Sequence, residues 1–417
     1  MSANKGKTAK GRKVPEQQER PRVLIVADAV AHTGFAMVTH NLADRFMAKY
    51  DVGVLGINYH GDPHQYRYPI YPAFIGGDMY GVGRVSSLMR MMRPHITLVI
   101  NDPWVATSYV PELIKPVAEL EDGVQLFSNK ILYTPVDGKH IPAHFAQGLN
   151  AYDYIIPYTR FAENELRLCG VTRPMSNILH GVDTSIFYPM DKAAARSALG
   201  IPKEWFIVGC VARNQPRKRL DLLFSYFAEW AKDKPDTVKL YYHGALKDVG
   251  WDILDMAEYY GIADRLMITS PNLTPDRGVS TEVMRIIYNS FDVQMHTALG
   301  EGFGLPTLEA MACGVPQIVG KWSALAEWAA PATIQIECTE SSMNTGGINT
   351  VGGVMDRAPA VAALEDLYTN RPKITILGKK AARYANESQF SWDVIAGQFS
   401  TIFEEVMHGN HVANTGQ

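Results

Sequence analysis

Arg22-Val23-Leu24-Ile25-Val26-Ala27-Asp28 is an unbroken apolar run that ends in a carboxylate. A strand of a parallel sheet reads this way, because helices cover both of its faces and every side chain is buried. A loop containing Gly34 follows, then a helical pattern over 36–49. Apolar runs at 51–58, 96–101, 130–136 and 154–158 predict further strands, and helical stretches lie between several of them, such as 85–92, closed by Pro94. Strands alternating with helices predict an α/β fold with a parallel sheet. Phe206-Ile207-Val208-Gly209-Cys210-Val211-Ala212-Arg213 then starts the pattern again. A helix over 220–232 follows, with strands at 238–243, 266–269, 293–296 and 317–319. The expectation is two doubly wound domains in tandem. Their joint falls within 183–203, which holds Pro189, a short Ala-rich helix at 193–199, Gly200 and Pro202. The expected division is a tail at 1–20, a first domain at 21–185, a second at 186–388, and a closing helix and tail at 389–417.

Composition agrees. A chain of 417 residues is too long for one ordinary core, and 47% hydrophobic with 20% charged residues suits a soluble protein. The net charge of -3 gives no general reason to expect nucleic-acid binding. No apolar run approaches a membrane span, and no apolar N-terminal segment reads as a signal peptide, so a cytoplasmic location is expected. Cys169, Cys210, Cys313 and Cys338 lack metal or disulfide spacing and read as small buried residues. Lys5, Lys7, Lys10, Arg12 and Lys13 make the first twenty residues basic and polar, a solvated tail. The sharper reading of that tail is attraction to an anionic acceptor or peripheral contact with a membrane.

Ligands of doubly wound sheets bind beyond the carboxyl ends of the strands. The richest such loop is Glu301-Gly302-Phe303-Gly304-Leu305-Pro306-Thr307-Leu308-Glu309-Ala310-Met311-Ala312-Cys313-Gly314-Val315-Pro316. Gly302 and Gly304 permit close backbone approach, and Pro306 suits a first helical turn. The N–H groups of that turn, near Leu305, favour a phosphate. Glu301 and Glu309 supply acceptors for sugar and ribose hydroxyls. Glu309 alone reads as a carboxylate favoured near a helix N-terminus, and the glycines alone as an ordinary tight turn; both carboxylates with the whole string point to a sugar nucleotide.

Arg213-Asn214-Gln215-Pro216-Arg217-Lys218-Arg219 follows a buried strand and precedes a helix. Arg213 and Lys218 are the candidates to stabilise the charge that grows on a departing diphosphate. In the first half, Tyr133-Thr134-Pro135-Val136-Asp137-Gly138-Lys139-His140 also ends a strand. Asp137 and His140 are candidates to contact the transferred sugar or move a proton. The rival readings are a turn-forming Asp before Gly138 and a surface histidine. Gly34, within His32-Thr33-Gly34-Phe35, is a weaker candidate to line the diphosphate or the acceptor. No Asp-x-Asp occurs, so no metal ligand and no cofactor is assigned. The chain has neither a P-loop nor a GxGxxG after its first strand.

These residues resemble the retaining glycosyltransferases of the GT-B fold, of the group 1 or family 4 type. Glu301 to Pro316 is similar to that family's E-x7-E segment. Leu179-His180-Gly181-Val182-Asp183-Thr184, Phe187-Tyr188-Pro189 and Phe390-Ser391-Trp392 are similar to its linker and closing strings. The resemblance implies two Rossmann-like domains facing each other across a cleft, with the acceptor in the first domain. It implies a UDP- or GDP-linked sugar donor in the second domain, with Arg213 and Lys218 on the diphosphate, and a last helix that returns to the first domain. Glu301 and the backbone of Gly302, Phe303, Gly304 and Leu305 hold the sugar and phosphate, and Glu309 the ribose. The chain departs from the family with only Gly34 in its first loop, Arg219 after Lys218, and Asp137 where a histidine is common. The acceptor is left open among glycan, lipid, protein and nucleic acid, as is the oligomeric state. A sugar-nucleotide epimerase, a phosphorylase and a non-catalytic binding module stand as alternatives.

Overall fold

The computed structural model describes residues 19–274, 277–345 and 348–413. Apart from Glu19 and Arg20, the basic tail lies outside the described residues. Two six-stranded, wholly parallel sheets make up the frame. The first joins β1 (Arg22–Asp28), β2 (Asp51–Ile57), β3 (Ile70–Pro72), β4 (Ile96–Ile100), β7 (Asn129–Thr134) and β8 (Tyr154–Pro157) in the order β3-β2-β1-β4-β7-β8. A small antiparallel pair, β5 (Ala118–Glu119) and β6 (Gln125–Leu126), stands apart from it. The second joins β9 (Phe206–Val211), β10 (Val238–His243), β11 (Leu266–Ile268), β12 (Val293–His296), β13 (Gln317–Gly320) and β14 (Ile334–Ile336) in the order β11-β10-β9-β12-β13-β14. The two orders are the same doubly wound order.

Burial follows the alternation of side chains along a strand. In β1, Val23, Ile25 and Ala27 enter one core while Leu24 and Val26 enter the core on the opposite face. In β9, Ile207 lies in the first of these cores and Phe206, Val208 and Cys210 in a third. The expected strands are present to within a residue or two at most of their ends. Within the two six-stranded sheets, β3 and β14 were not foreseen: they are three-residue edge strands, too short to carry a periodicity.

In each sheet the strand order reverses between a pair of neighbours, β1 and β4 in the first, β9 and β12 in the second. The carboxyl ends of those strands frame the ligand crevices of such folds. They are Asp28 and Ile100 in one sheet and Val211 and His296 in the other. The loops beyond them meet across the cleft. The helix Trp392–Ala413 crosses back and packs on the helix Gly34–Phe46 of the first sheet. Phe399 and Phe403 lie with ring centroids 5.8 and 5.2 Å from Phe46, and Arg45 pairs with Asp393 at 2.6 Å. A hairpin of β15 (Glu340–Met343) and β16 (Val351–Val354) reaches the other way. Val351 and Lys139 exchange backbone hydrogen bonds of 2.8 Å in both directions, which fastens the loop after β7 to the second domain. Among the described residues no helix is long and apolar enough to cross a membrane.

Candidate active site

The run after β9 turns through a short 3-10 helix, Pro216–Lys218, and leaves Arg219 in the left-handed region at φ 48°. The turn aims Arg217 and Lys218 at the loop after β12. Lys218 Nζ donates to both Glu301 carboxylate oxygens, at 2.6 and 2.7 Å. Arg217 Nη1 donates to Glu301 Oε2 at 3.1 Å and to the Gly300 carbonyl at 2.5 Å. Its Nε lies 2.9 Å from Asp137 Oδ2, in the first domain. A chain of alternating charge, Asp137–Arg217–Glu301–Lys218, therefore spans the cleft. Burial acts to raise the Glu301 pKa, but Lys218 and Arg217 outweigh it and hold the carboxyl at about 2. For Arg217, burial is likewise overcome by Asp137 and Glu301, and its pKa rises. Lys218 is lowered by burial and by Arg217, with Glu301 opposing.

The loop fits because of its glycines. A Cβ on Gly300 would lie 1.8 Å from the Asp137 carbonyl oxygen, and one on Gly302 would lie 2.4 Å from Pro135 Cβ. What approaches the backbone here is the other domain. Gly304, at φ +93°, caps the helix Leu305–Ala312, a conformation that suits glycine. Phe303 is buried, stacked on Trp328 at 4.7 Å and 9°, while its carbonyl accepts from Trp328 Nε1. Its side chain is core, so only its backbone faces the loop. Leu305 borders Gly34 of the opposite helix: a Cβ there would sit 3.4 Å from Leu305 Cδ1. Two helix N-termini, each a source of positive potential, thus approach one another at the cleft.

Glu309 lies a helix turn further in. Tyr288 Oη donates to its Oε2 at 2.7 Å, and its buried Oε1 has no hydrogen-bond partner among the described residues. Burial raises its carboxyl to about 7, against the pull of the Tyr288 hydrogen bond. The orphaned oxygen is an acceptor available to a donor hydroxyl. Arg213 stands at the margin: half-exposed, it pairs with Asp248 at 2.7 Å rather than with Glu301. His140 lies outside the charge chain. It is exposed at φ 65°, and its backbone N–H donates to Glu165 Oε2 at 2.9 Å.

Two residues of the cleft were not singled out from the sequence. Arg217 lies inside the basic run already quoted, but nothing in its spacing distinguishes it from Arg213; only the turn does. Asp102 follows β4 and precedes the helix Pro103–Ser108. It lies within electrostatic range of Asp137, Arg217 and Asp28. Its signal was the polar pair Asn101-Asp102 closing an apolar run, the same pattern that marks Asp28.

Residues 191–340 match the family model of the glycosyl transferases group 1. The D-inositol 3-phosphate glycosyltransferase of Segniliparus rotundus is 24% identical over 322 residues, covering 76% of this chain and 61% of that protein. Its counterpart from Geodermatophilus obscurus is 34% identical over 251 residues, covering 57% of this chain and 49% of that one. The chain thus spans roughly half to three-fifths of the length of these curated relatives. Among solved structures, sucrose-phosphate synthase from Thermosynechococcus elongatus superposes with a TM-score of 0.73 at 17% identity, over 94% of this chain and 100% of that one. Anabaena HepE, solved in complex with UDP and glucose, superposes with a TM-score of 0.68 at 14% identity, over 92% of this chain and 100% of that one. The chain has the GT-B fold of the glycosyltransferases, and the stretch that holds Arg217, Lys218, Glu301 and Glu309 is similar to the glycosyl transferases of group 1.

Proposed function

We propose that the protein is a glycosyltransferase that moves a sugar from a UDP- or GDP-sugar to an acceptor alcohol with retention of anomeric configuration. The observation that carries this reading is the pair of enclosed cations, Arg217 and Lys218, set against Glu301 at the carboxyl edge of the second sheet. A diphosphate reaching that edge meets fixed positive charge, with Arg213 at its margin. The partnerless Oε1 of Glu309 supports a ribose diol beside it. The group 1 match covers these same residues. Known relatives that act on inositol phosphate, and a neighbour solved with UDP and glucose, agree with the reading.

In the proposed reaction the bond from the anomeric carbon to the diphosphate oxygen breaks, and negative charge grows on the diphosphate. Lys218 and Arg217 stabilise that charge more in the transition state than in the ground state. The acceptor oxygen bonds to the same face of the anomeric carbon, and its proton passes to the departing phosphate oxygen. Glu301 accepts hydrogen bonds from sugar hydroxyls, and the backbone of Gly302 to Leu305 holds the sugar and phosphate. Asp137 and Gly34 border this space from the first domain, with His140 beyond its edge. These side chains and helix ends neutralise the diphosphate in this scheme, which calls on no metal.

Incubation with a panel of UDP- and GDP-sugars tests it. Free UDP or GDP together with a glycosylated acceptor is the expected result, and NMR of the product should show the donor's anomeric configuration. Isomerised nucleotide sugar without release would establish an epimerase. Nucleotide binding without turnover would establish a binding module.

A further inference from the structure

Beyond β13 the chain turns back toward the loop that carries Glu301. Ser323, in that turn, is buried and lies in the left-handed region at φ 48°. A side chain there is strained, and such strain persists only where the surroundings over-determine it. Here they do so from two sides. The Ser323 hydroxyl accepts from the Glu301 N–H at 2.9 Å and donates to the Glu301 carbonyl at 3.0 Å. The Ala324 N–H donates to the same carbonyl at 3.4 Å. From the other side, the first domain braces the segment. Glu327 closes the helix Ser323–Glu327, and its carboxylate accepts from the backbone N–H groups of Arg160 and Phe161 at 3.0 and 2.8 Å. Lys139 Nζ lies 4.5 Å from the centre of the Trp322 ring. Glu301 itself belongs to neither a helix nor a strand, so no ladder orients its backbone. One hydroxyl does so instead, by engaging the peptide groups on both sides of a single α-carbon. Those two peptide planes set the direction of the Glu301 Cα–Cβ bond, and the second of them carries the N–H of Gly302.

We infer that Ser323 is a positioning residue for transfer: its hydroxyl fixes the backbone of Glu301 and so aims that carboxylate, and the Gly302 N–H beside it, at the sugar of the donor. Lys218 and Arg217 hold the carboxylate end of the same residue. Glu301 is thus fixed at both ends, by cations at its side chain and by Ser323 at its backbone. A reacting sugar gains from a partner that needs no reorganisation as the bond breaks. The inference rests on the glycosyltransferase reading and adds to it a residue that acts through Glu301.

Two substitutions test it. Ser323→Ala and Ser323→Gly both remove the hydroxyl, but only glycine takes φ 48° without strain, so Ser323→Gly should denature at the higher midpoint of the two. Turnover should not follow that order. Both variants should release UDP or GDP from the panel of sugar nucleotides with kcat/KM at least ~10-fold below the wild type, since small displacements at a reacting centre have effects of that size. Bare UDP or GDP, titrated into the same proteins, should bind as it does to the wild type, because the loss falls on the sugar. Wild-type kcat/KM in Ser323→Gly would overturn the inference. So would turnover that recovers in step with stability from the alanine to the glycine variant. An equal loss of bare-nucleotide affinity would overturn it too, as the mark of a general loosening of the second domain. Ser323→Gly decides the matter even where Ser323→Ala does not fold. Failure of the underlying reading shows separately, as absence of UDP and GDP binding to the wild type.

Discussion

Glu301 sits between two cations, and its enclosure changes what its substitution should do. From the sequence alone, Glu301→Gln is a change in sugar recognition. In the structure it also leaves Lys218 and Arg217 enclosed without their shared counter-ion. Breaking such a pair from one side costs about 3–5 kcal/mol. Chemical denaturation of Glu301→Gln should show a loss of that order beside the loss of turnover; an unchanged midpoint would mean the pair is not formed in solution. Glu309 gives a pH signature. Its folded pKa of about 7 lies above the ordinary value of 4.5. A carboxyl so raised contributes stability that is fully present below pH about 4.5 and is lost as pH rises to about 7, at most on the order of 3 kcal/mol. Glu309→Gln should therefore remove that decline, so its stability relative to wild type improves from pH 5 to pH 8. Parallel curves for the two proteins would place the Glu309 pKa near its ordinary value. At this scale the string from Glu301 to Pro316 brings Glu301 and Glu309 to notice, and the separate basic run after β9 brings Lys218. The sequence was not legible for Arg217, whose role depends on a 3-10 turn that swings it toward Asp137.

Among the elements, the loop after β12 shows how little space lies between the domains. Gly300→Ala places a Cβ against the Asp137 carbonyl, which is backbone and cannot rotate away. Relief requires the loop after β7 to withdraw, and Lys139 and Val351 hold that loop by two backbone bonds. The substitution should cost about 1–3 kcal/mol, as overpacking does. It should also lower kcat/KM at least ~10-fold, since a displacement of about an ångström at a reacting centre has effects of that size or larger. Wild-type kinetics in Gly300→Ala would show that the two loops do not meet during turnover. The helix after Gly304 and its Pro306 start could be read from residue types alone. The place of the Phe303 ring could not: the stacking on Trp328 that makes it core joins residues twenty-five positions apart. The hairpin β15–β16 escaped notice because its strands are four residues each and mostly polar or glycine.

For the whole molecule, the repeated apolar runs were enough to give two doubly wound sheets, because a strand buried on both faces has a composition few other elements share. How the sheets face one another was not in the runs. It is set by contacts between residues far apart in sequence, such as Arg217 with Asp137 and Phe46 with Phe403. The arrangement brings the carboxyl ends of both sheets to one cleft, where Arg217 and Lys218 share Glu301 and Arg217 reaches Asp137 of the first domain. Calorimetric titration of UDP and of GDP into the wild-type protein and into Lys218→Ala tests the central claim, that a nucleoside diphosphate binds at this charge cluster. One of the two nucleotides should bind at a single site per chain, with affinity weakened at least ~10-fold in the variant, as expected for loss of a charge-assisted phosphate contact. Binding of neither nucleotide, or equal affinity in both proteins, would contradict it.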